Sequence, residues 1–180
     1  CAGCSSMGGF TTELGPFLIN DDLSLSENPG RFNQYANMVF LESPAGAGFS
    51  YAADEAGYTY NDDTSADDNY LAVKKFLSLY PEYAGRDMYI TGESYAGIYV
   101  PMLAHAILTK SDNDDINLKG FMVGNGCIGT DVGGCGAQSN EIDMVSLVLV
   151  SGDFVSRVTY TDVLLCANDG NCRSLQQHTH

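Results

Sequence analysis

The run Gly92-Glu93-Ser94-Tyr95-Ala96-Gly97 brings together the residue types that make a serine reactive. A serine attacks a carbonyl only when its oxygen stands clear of the backbone with a base in reach, and a tight strand-to-helix turn presents it that way. Small residues must flank such a turn because its two arms approach closely, and Gly92, Ala96 and Gly97 supply them. The bare pattern is weak, since glycine and serine are common in loops. Its setting strengthens it: Asp87-Met88-Tyr89-Ile90-Thr91 before it reads as strand, and residues 98–110 after it read as helix, with Pro101 in the first turn or at a kink.

The elements that must hold this turn are legible around it. Tyr70, Val73, Phe76, Leu77 and Tyr80 recur at three and four residues and predict a helix that Pro81 closes. Asn37-Met38-Val39-Phe40-Leu41-Glu42 predicts a short buried parallel strand, and Leu118-Lys119-Gly120-Phe121-Met122-Val123 predicts the next. Strands alternating with helices predict an α/β class, a parallel-rich sheet flanked by helices on both faces, with the turn at the carboxyl end of a central strand. Residues 1–20 are rich in glycine and read as loop, and Asn28-Pro29-Gly30 reads as turn. After Gly124-Asn125-Gly126 the texture changes, because four of the six cysteines and little clean periodicity follow. We therefore expect a partial core over residues 1–126 and a cysteine-containing insertion or cap segment over residues 127–180.

Composition sets outer limits. With 44% hydrophobic residues among 180, the chain can bury an ordinary core. A net charge of −15 argues against nucleic acid and anionic membranes as partners, because phosphates would be repelled. No apolar run approaches the ~18 residues that cross a bilayer. With no leader at Cys1, we expect an internal piece of a longer protein.

The cysteines Cys1, Cys4, Cys127, Cys135, Cys166 and Cys172 favour an oxidising compartment. Cys127 with Cys135 and Cys166 with Cys172 are plausible local disulfides, although sequence leaves the connectivity open. Cys1-Ala2-Gly3-Cys4 is formally C-x-x-C, but it lacks the second close pair that zinc wants and the helix that a redox motif wants. The acids between residues 54 and 68 match no calcium loop and suit helix caps, so we expect no metal and no cofactor.

Four motifs in order give a resemblance to a known family: Gly3-Cys4-Ser5-Ser6 followed by Glu13-Leu14-Gly15-Pro16; Glu42-Ser43-Pro44-Ala45-Gly46-Ala47-Gly48-Phe49-Ser50-Tyr51; Gly92-Glu93-Ser94-Tyr95-Ala96-Gly97; and Gly124-Asn125-Gly126. Over residues 1–126 the chain resembles the serine carboxypeptidases of the α/β-hydrolase fold. That resemblance implies Ser94 as the nucleophile that forms an acyl-enzyme. It implies the backbone N–H of Tyr95 as an oxyanion-hole donor, with the Tyr95 ring lining the acyl side of the cut bond. Glu93 and Glu13 match the glutamates that grip the substrate's free C-terminal carboxylate, a task for protonated carboxyls that should be strongest in acid. The implied partner is a peptide with a free C-terminus, and the implied location is the secretory pathway, either vacuole- or lysosome-like or extracellular.

The chain also departs from the family pattern. Cys1-Ala2-Gly3 stands where the family reads G-G-P-G after an Asn, so Cys1 occupies the place of the second oxyanion-hole glycine. Cys4 matches a cysteine that the family bonds to a distant downstream partner. The triad of this fold runs Ser, Asp, His. Here the histidines are His105, in the helix after the turn, and His178 and His180, which have Asp153, Asp162 and Asp169 between them and Ser94. None has the Gly-His-x-x-Pro character of the family's base, so we expect both Asp and His beyond residue 180 and an inactive fragment from an active parent. Two alternatives stand: an acyltransferase on the same scaffold, whose members often carry Asp and Ser where this chain has Glu93 and Ala96, and a non-catalytic binding protein that keeps the fold.

Overall fold

The computed structural model describes residues 4–110, 116–124, 126, 145–151, 154–157, 163–166 and 172–175. The chain divides into two compact units, Cys1–Asn61 and Asp62–His180.

The first unit has little regular structure. Helix α1 (Met7–Thr12) forms within the glycine-rich segment expected to be loop, and the Thr11 and Thr12 hydroxyls donate back to the carbonyls of Met7 and Gly8 at 2.6 and 2.8 Å. The chain then packs tightly enough that a side chain at Gly15 would strike the Phe10 carbonyl, 1.8 Å from where a Cβ would stand. Strands β1 (Phe17–Ile19) and β2 (Leu25–Glu27) pair antiparallel with Leu18 opposite Ser26. Tertiary contact, not periodicity, produces these elements, which is why sequence alone reads the segment as loop.

Buried Asn28 organises the unit. Its side-chain amide donates to the carbonyls of Glu13 and Gly15 at 2.7 and 2.9 Å, while its Oδ1 accepts from the Gly30 N–H at 2.8 Å. The expected turn at Asn28-Pro29-Gly30 is thus also a clamp on the Glu13-Leu14-Gly15-Pro16 motif.

The predicted strand over residues 37–42 is not formed. Val39 and Leu41 are exposed, and the carbonyls a ladder would use are taken by side chains: Ser6 Oγ donates to Leu41 O at 2.7 Å and Ser50 Oγ to Glu42 O at 2.6 Å. An apolar run becomes a strand only when a neighbouring backbone pairs with it.

The second unit follows the predicted alternation. Helix α2 (Asp62–Leu79) leads through a short 3₁₀ turn to β3 (Asp87–Glu93), α3 (Ala96–Thr109) and β4 (Asn117–Gly124). Strands β3 and β4 are parallel, as a helical crossover requires. Strands β5 (Val145–Ser151) and β6 (Phe154–Arg157) continue the same sheet antiparallel, in the order β3-β4-β5-β6. A separate antiparallel pair, β7 (Val163–Cys166) with β8 (Cys172–Leu175), places Cys166 and Cys172 in register. Residues 127–144, which open the stretch read as an insertion, lie outside the described residues, as do Cys1, Cys127 and Cys135. Cys4 is disulfide-bonded.

Helix α3 is apolar on two faces, which is why it can lie between two partners. Leu103, Ala106 and Ile107 meet Tyr70 and Leu77 of α2 together with Ile116. Val100 and Ala104 meet Phe121 and Val123 of β4. Met88 and Ile90 reach this core from β3, while Tyr89 between them is exposed, as strand alternation dictates. The second covering layer of helix expected on the other face is not among the described residues. No helix among them is long and apolar enough to cross a membrane.

Candidate active site

Strand β3 ends at Glu93 and helix α3 begins at Ala96, so the tight strand-to-helix turn consists of Ser94 and Tyr95. Ser94 has φ +58°, in the left-handed region that glycine enters freely and serine only at a cost of order 1 kcal/mol. Three backbone hydrogen bonds hold it there. The Ser94 N–H donates to Gly124 O at 3.0 Å, which clips the turn to the end of β4, and Gly97 N–H and Ile98 N–H close the first turn of α3 on Ser94 O and Tyr95 O at 2.9 and 3.0 Å.

The small flanking residues are required by space. A Cβ at Gly92 would lie 2.4 Å from the Ala96 Cβ and 3.0 Å from Val100 Cγ2. A Cβ at Gly126 would lie 2.4 Å from Val123 Cγ1 and 3.3 Å from the Gly97 Cα. The fourth motif therefore packs against the third, with Gly126 closing on the first turn of α3. Real side-chain carbons essentially never approach so closely, so each glycine is fixed by its neighbours.

Tyr95 is the N-cap of α3, and its N–H is among the donors that a helix's first turn leaves without an intrahelical acceptor. Such donors, with the positive end of the helix dipole, suit a developing oxyanion. The Tyr95 hydroxyl donates to Asp62 Oδ1 at 3.1 Å, and the ring meets that of Tyr99 edge to face with centroids 5.0 Å apart. Burial first, and then the Asp62 carboxylate, push the Tyr95 phenol above its ordinary range, so it remains a donor. Sequence reading placed Asp62 among helix-capping acids. Its partner lies 33 residues on, beyond any spacing rule, and no sequence signal could have found the pair.

Among the expected site residues, the structure brings Glu93, Ser94 and Tyr95 together at one strand end, and the Glu93 side chain is exposed there. Glu13 belongs to the first unit, at the C-cap of α1, where it too is exposed. Among the described residues no histidine side chain bonds the Ser94 hydroxyl. His105 is exposed on α3, and His178 and His180 lie outside the described residues.

In the first unit the Glu42 carboxylate joins two of the motifs. It accepts from the Ser5 hydroxyl and, at 2.5 Å, from the Phe49 N–H, and it fills the space a side chain at Gly48 would need. These bonds, the Phe49 one foremost, hold the Glu42 carboxyl below the usual carboxylate range.

Comparison with known proteins agrees with this geometry. A relative in Arabidopsis thaliana, Serine carboxypeptidase-like 36, is 45% identical over 131 residues, 72% of this chain and 27% of the relative. The Lysosomal protective protein of Mus musculus is 50% identical over 125 residues, 69% of this chain and 26% of the relative. The chain thus spans about a quarter of the length of these curated relatives. Among solved structures, Kex1(delta)p, a prohormone-processing carboxypeptidase from Saccharomyces cerevisiae, superposes with a TM-score of 0.60 at 32% identity, covering 69% of this chain and 28% of that one. The α/β-hydrolase class read from the motifs agrees with that match. The family model described as Serine carboxypeptidase matches residues 2–162, and the chain belongs to that family.

Proposed function

We propose that this chain carries the nucleophile segment of a serine-type carboxypeptidase that releases C-terminal residues from peptides. The observation that carries the reading is Ser94, held at φ +58° between β3 and α3 with the Tyr95 N–H at the head of the helix. In the reaction Ser94 Oγ gives its proton to a base and bonds the scissile carbonyl carbon. The carbonyl oxygen takes up negative charge and accepts from Tyr95 N–H. The C–N bond then breaks as the leaving amine takes the proton, and water releases the acyl group by the same steps reversed. We assign the base, which also returns the proton to the leaving amine, to a His and the carboxylate that orients it to an Asp, both beyond residue 180, and recognition of the substrate's free carboxylate to Glu93 and Glu13, all on the strength of the motif match. Removing a triad member costs orders of magnitude in rate, so these 180 residues by themselves should not turn over substrate.

A secretory setting, vacuole- or lysosome-like or extracellular, is supported by the six cysteines, the bonded Cys4 and the name of the mouse relative. The test uses the full-length protein with an N-blocked dipeptide and its C-terminal amide. The free acid should be cleaved and the amide far more slowly, with Ser94→Ala abolishing both. Equal cleavage of acid and amide would reject the exopeptidase assignment, and transfer of an acyl group to an alcohol in place of hydrolysis would favour the acyltransferase.

A further inference from the structure

The side chain beside the nucleophile is fixed by a remote residue. Tyr95 sits at the head of α3, where backbone geometry alone leaves its χ1 rotation open, and two contacts close that freedom. At its tip the hydroxyl donates to Asp62 Oδ1 at 3.1 Å. Beside it the Tyr99 ring, one turn along α3, stands at 70° with centroids 5.0 Å apart, the edge-to-face arrangement aromatic pairs prefer.

Asp62 is well placed to act as the fixed end of this tie. It is the first residue of α2, where the positive end of the helix dipole favours a carboxylate. Helix α2 is itself anchored through Tyr70 and Leu77 to Leu103, Ala106 and Ile107 of α3, the helix that Tyr95 heads. The two ends of the Asp62–Tyr95 bond therefore belong to elements that share one packed core. At 3.1 Å the bond is longer than the roughly 2.5–2.7 Å of a strong O–H···O⁻ contact, so its part is to orient the ring.

We propose that Asp62 is the positioning residue for the Tyr95 ring, the wall that the family resemblance puts on the acyl side of the cut bond, and that through this ring Asp62 tunes which acyl-side residue the site accepts. The inference rests on the carboxypeptidase reading. Released from Asp62, the ring can turn about χ1 into or away from the space beside Ser94 Oγ. A bulky acyl-side group then loses a defined wall, while a methyl group, which hardly reaches that wall, is little affected.

Peptidyl diphenyl phosphonates test this in the full-length protein, because they modify an active serine covalently and carry the acyl-side group as their own side chain. Inactivation rates are measured for a benzyl and a methyl probe, and the readout is their ratio. Asp62→Ala should move that ratio by up to about tenfold, the scale on which an ordinary hydrogen bond acts, with little change for the methyl probe. Tyr95→Phe, which removes only the hydroxyl and leaves helix α2 untouched, should move it equally even if Asp62→Ala folds poorly. The double variant should move it no further, and Asp62→Asn, which keeps an oxygen acceptor, should restore it. An unmoved ratio, an equal fall for both probes, or additive effects in the double variant would overturn the proposal. A wild-type protein that neither probe labels would instead overturn the functional reading, and this inference with it.

Discussion

The two units are held in shape by different forces. In Asp62–His180 the described core is apolar: Ile107 is 1% exposed, and around it Tyr70, Leu77, Leu103 and Ala106 close on one another from two helices. In Cys1–Asn61 many large apolar side chains are exposed, Tyr35 at 88%, Tyr51 at 83% and Phe49 at 82%, and beside the Phe10–Phe40 ring contact the loops are tied by polar side chains bonded to backbone. Asn28 clamps one loop, Glu42 joins two others, and the hydroxyls of Ser6 and Ser50 occupy carbonyls that a strand would have used. Burial is non-directional and tolerant of detail, whereas hydrogen bonds are directional and fail one at a time. The Ser94 turn sits in the unit built the first way, and the loops carrying two of the family motifs sit in the unit built the second way.

Three perturbations should separate these modes, and the strongest is in the apolar core. Ile107→Ala removes most of a fully buried side chain and should cost about 2–5 kcal/mol, read as a lower denaturation midpoint. Amide exchange should speed up in α2 and α3, with residues 4–61 keeping their protection. Equal loss in both regions would mean that they unfold as one, and the contrast would be void.

Asn28→Ala should cost less, about 1–3 kcal/mol, because it leaves two carbonyls and one N–H without partners. Its signature is local: faster exchange at Gly30 and around residues 13–16, with α3 unchanged. A variant as stable as the wild type would show that solvent replaces those bonds and that the clamp is decorative.

The smallest effect is that of acid on Glu42. Its carboxyl is held below the ordinary value of 4.5 in the folded chain, so the bonds it accepts stabilise the fold above that pH. The contribution is lost as pH falls through the lowered value. The protection factor at Phe49, with the intrinsic slowing of exchange in acid divided out, should therefore fall with acidification below about pH 4.5, and Glu42→Gln should flatten that profile. A wild-type profile already flat across this window would remove Glu42 from the account.

The contrast also explains what was legible in the sequence. Periodicity announces apolar faces, so α2, β3, α3 and β4 were predicted close to where they lie, and the Gly92 to Gly97 run declared its turn through residue size. The first unit follows no period. Helix α1 and strand β1 depend on contacts such as Gly15 against the Phe10 carbonyl, and the apolar run at residues 37–42 misled because strand formation needs a partner that composition does not reveal. Within the site, Ser94 and Tyr95 were readable from their turn. Asp62 against Tyr95 and Gly126 against Gly97 arise from folding distant segments together, and single-residue types carry no trace of such meetings.

The positive φ at Ser94 has an evolutionary corollary. Glycine would occupy that backbone more comfortably than serine does, by roughly 1 kcal/mol, because it lacks the Cβ that crowds the left-handed region. A duplicated copy released from selection on its chemistry would drift toward glycine there and become sturdier as it fell silent. The side chain that the proposed chemistry needs is thus one that the scaffold, left to itself, would discard.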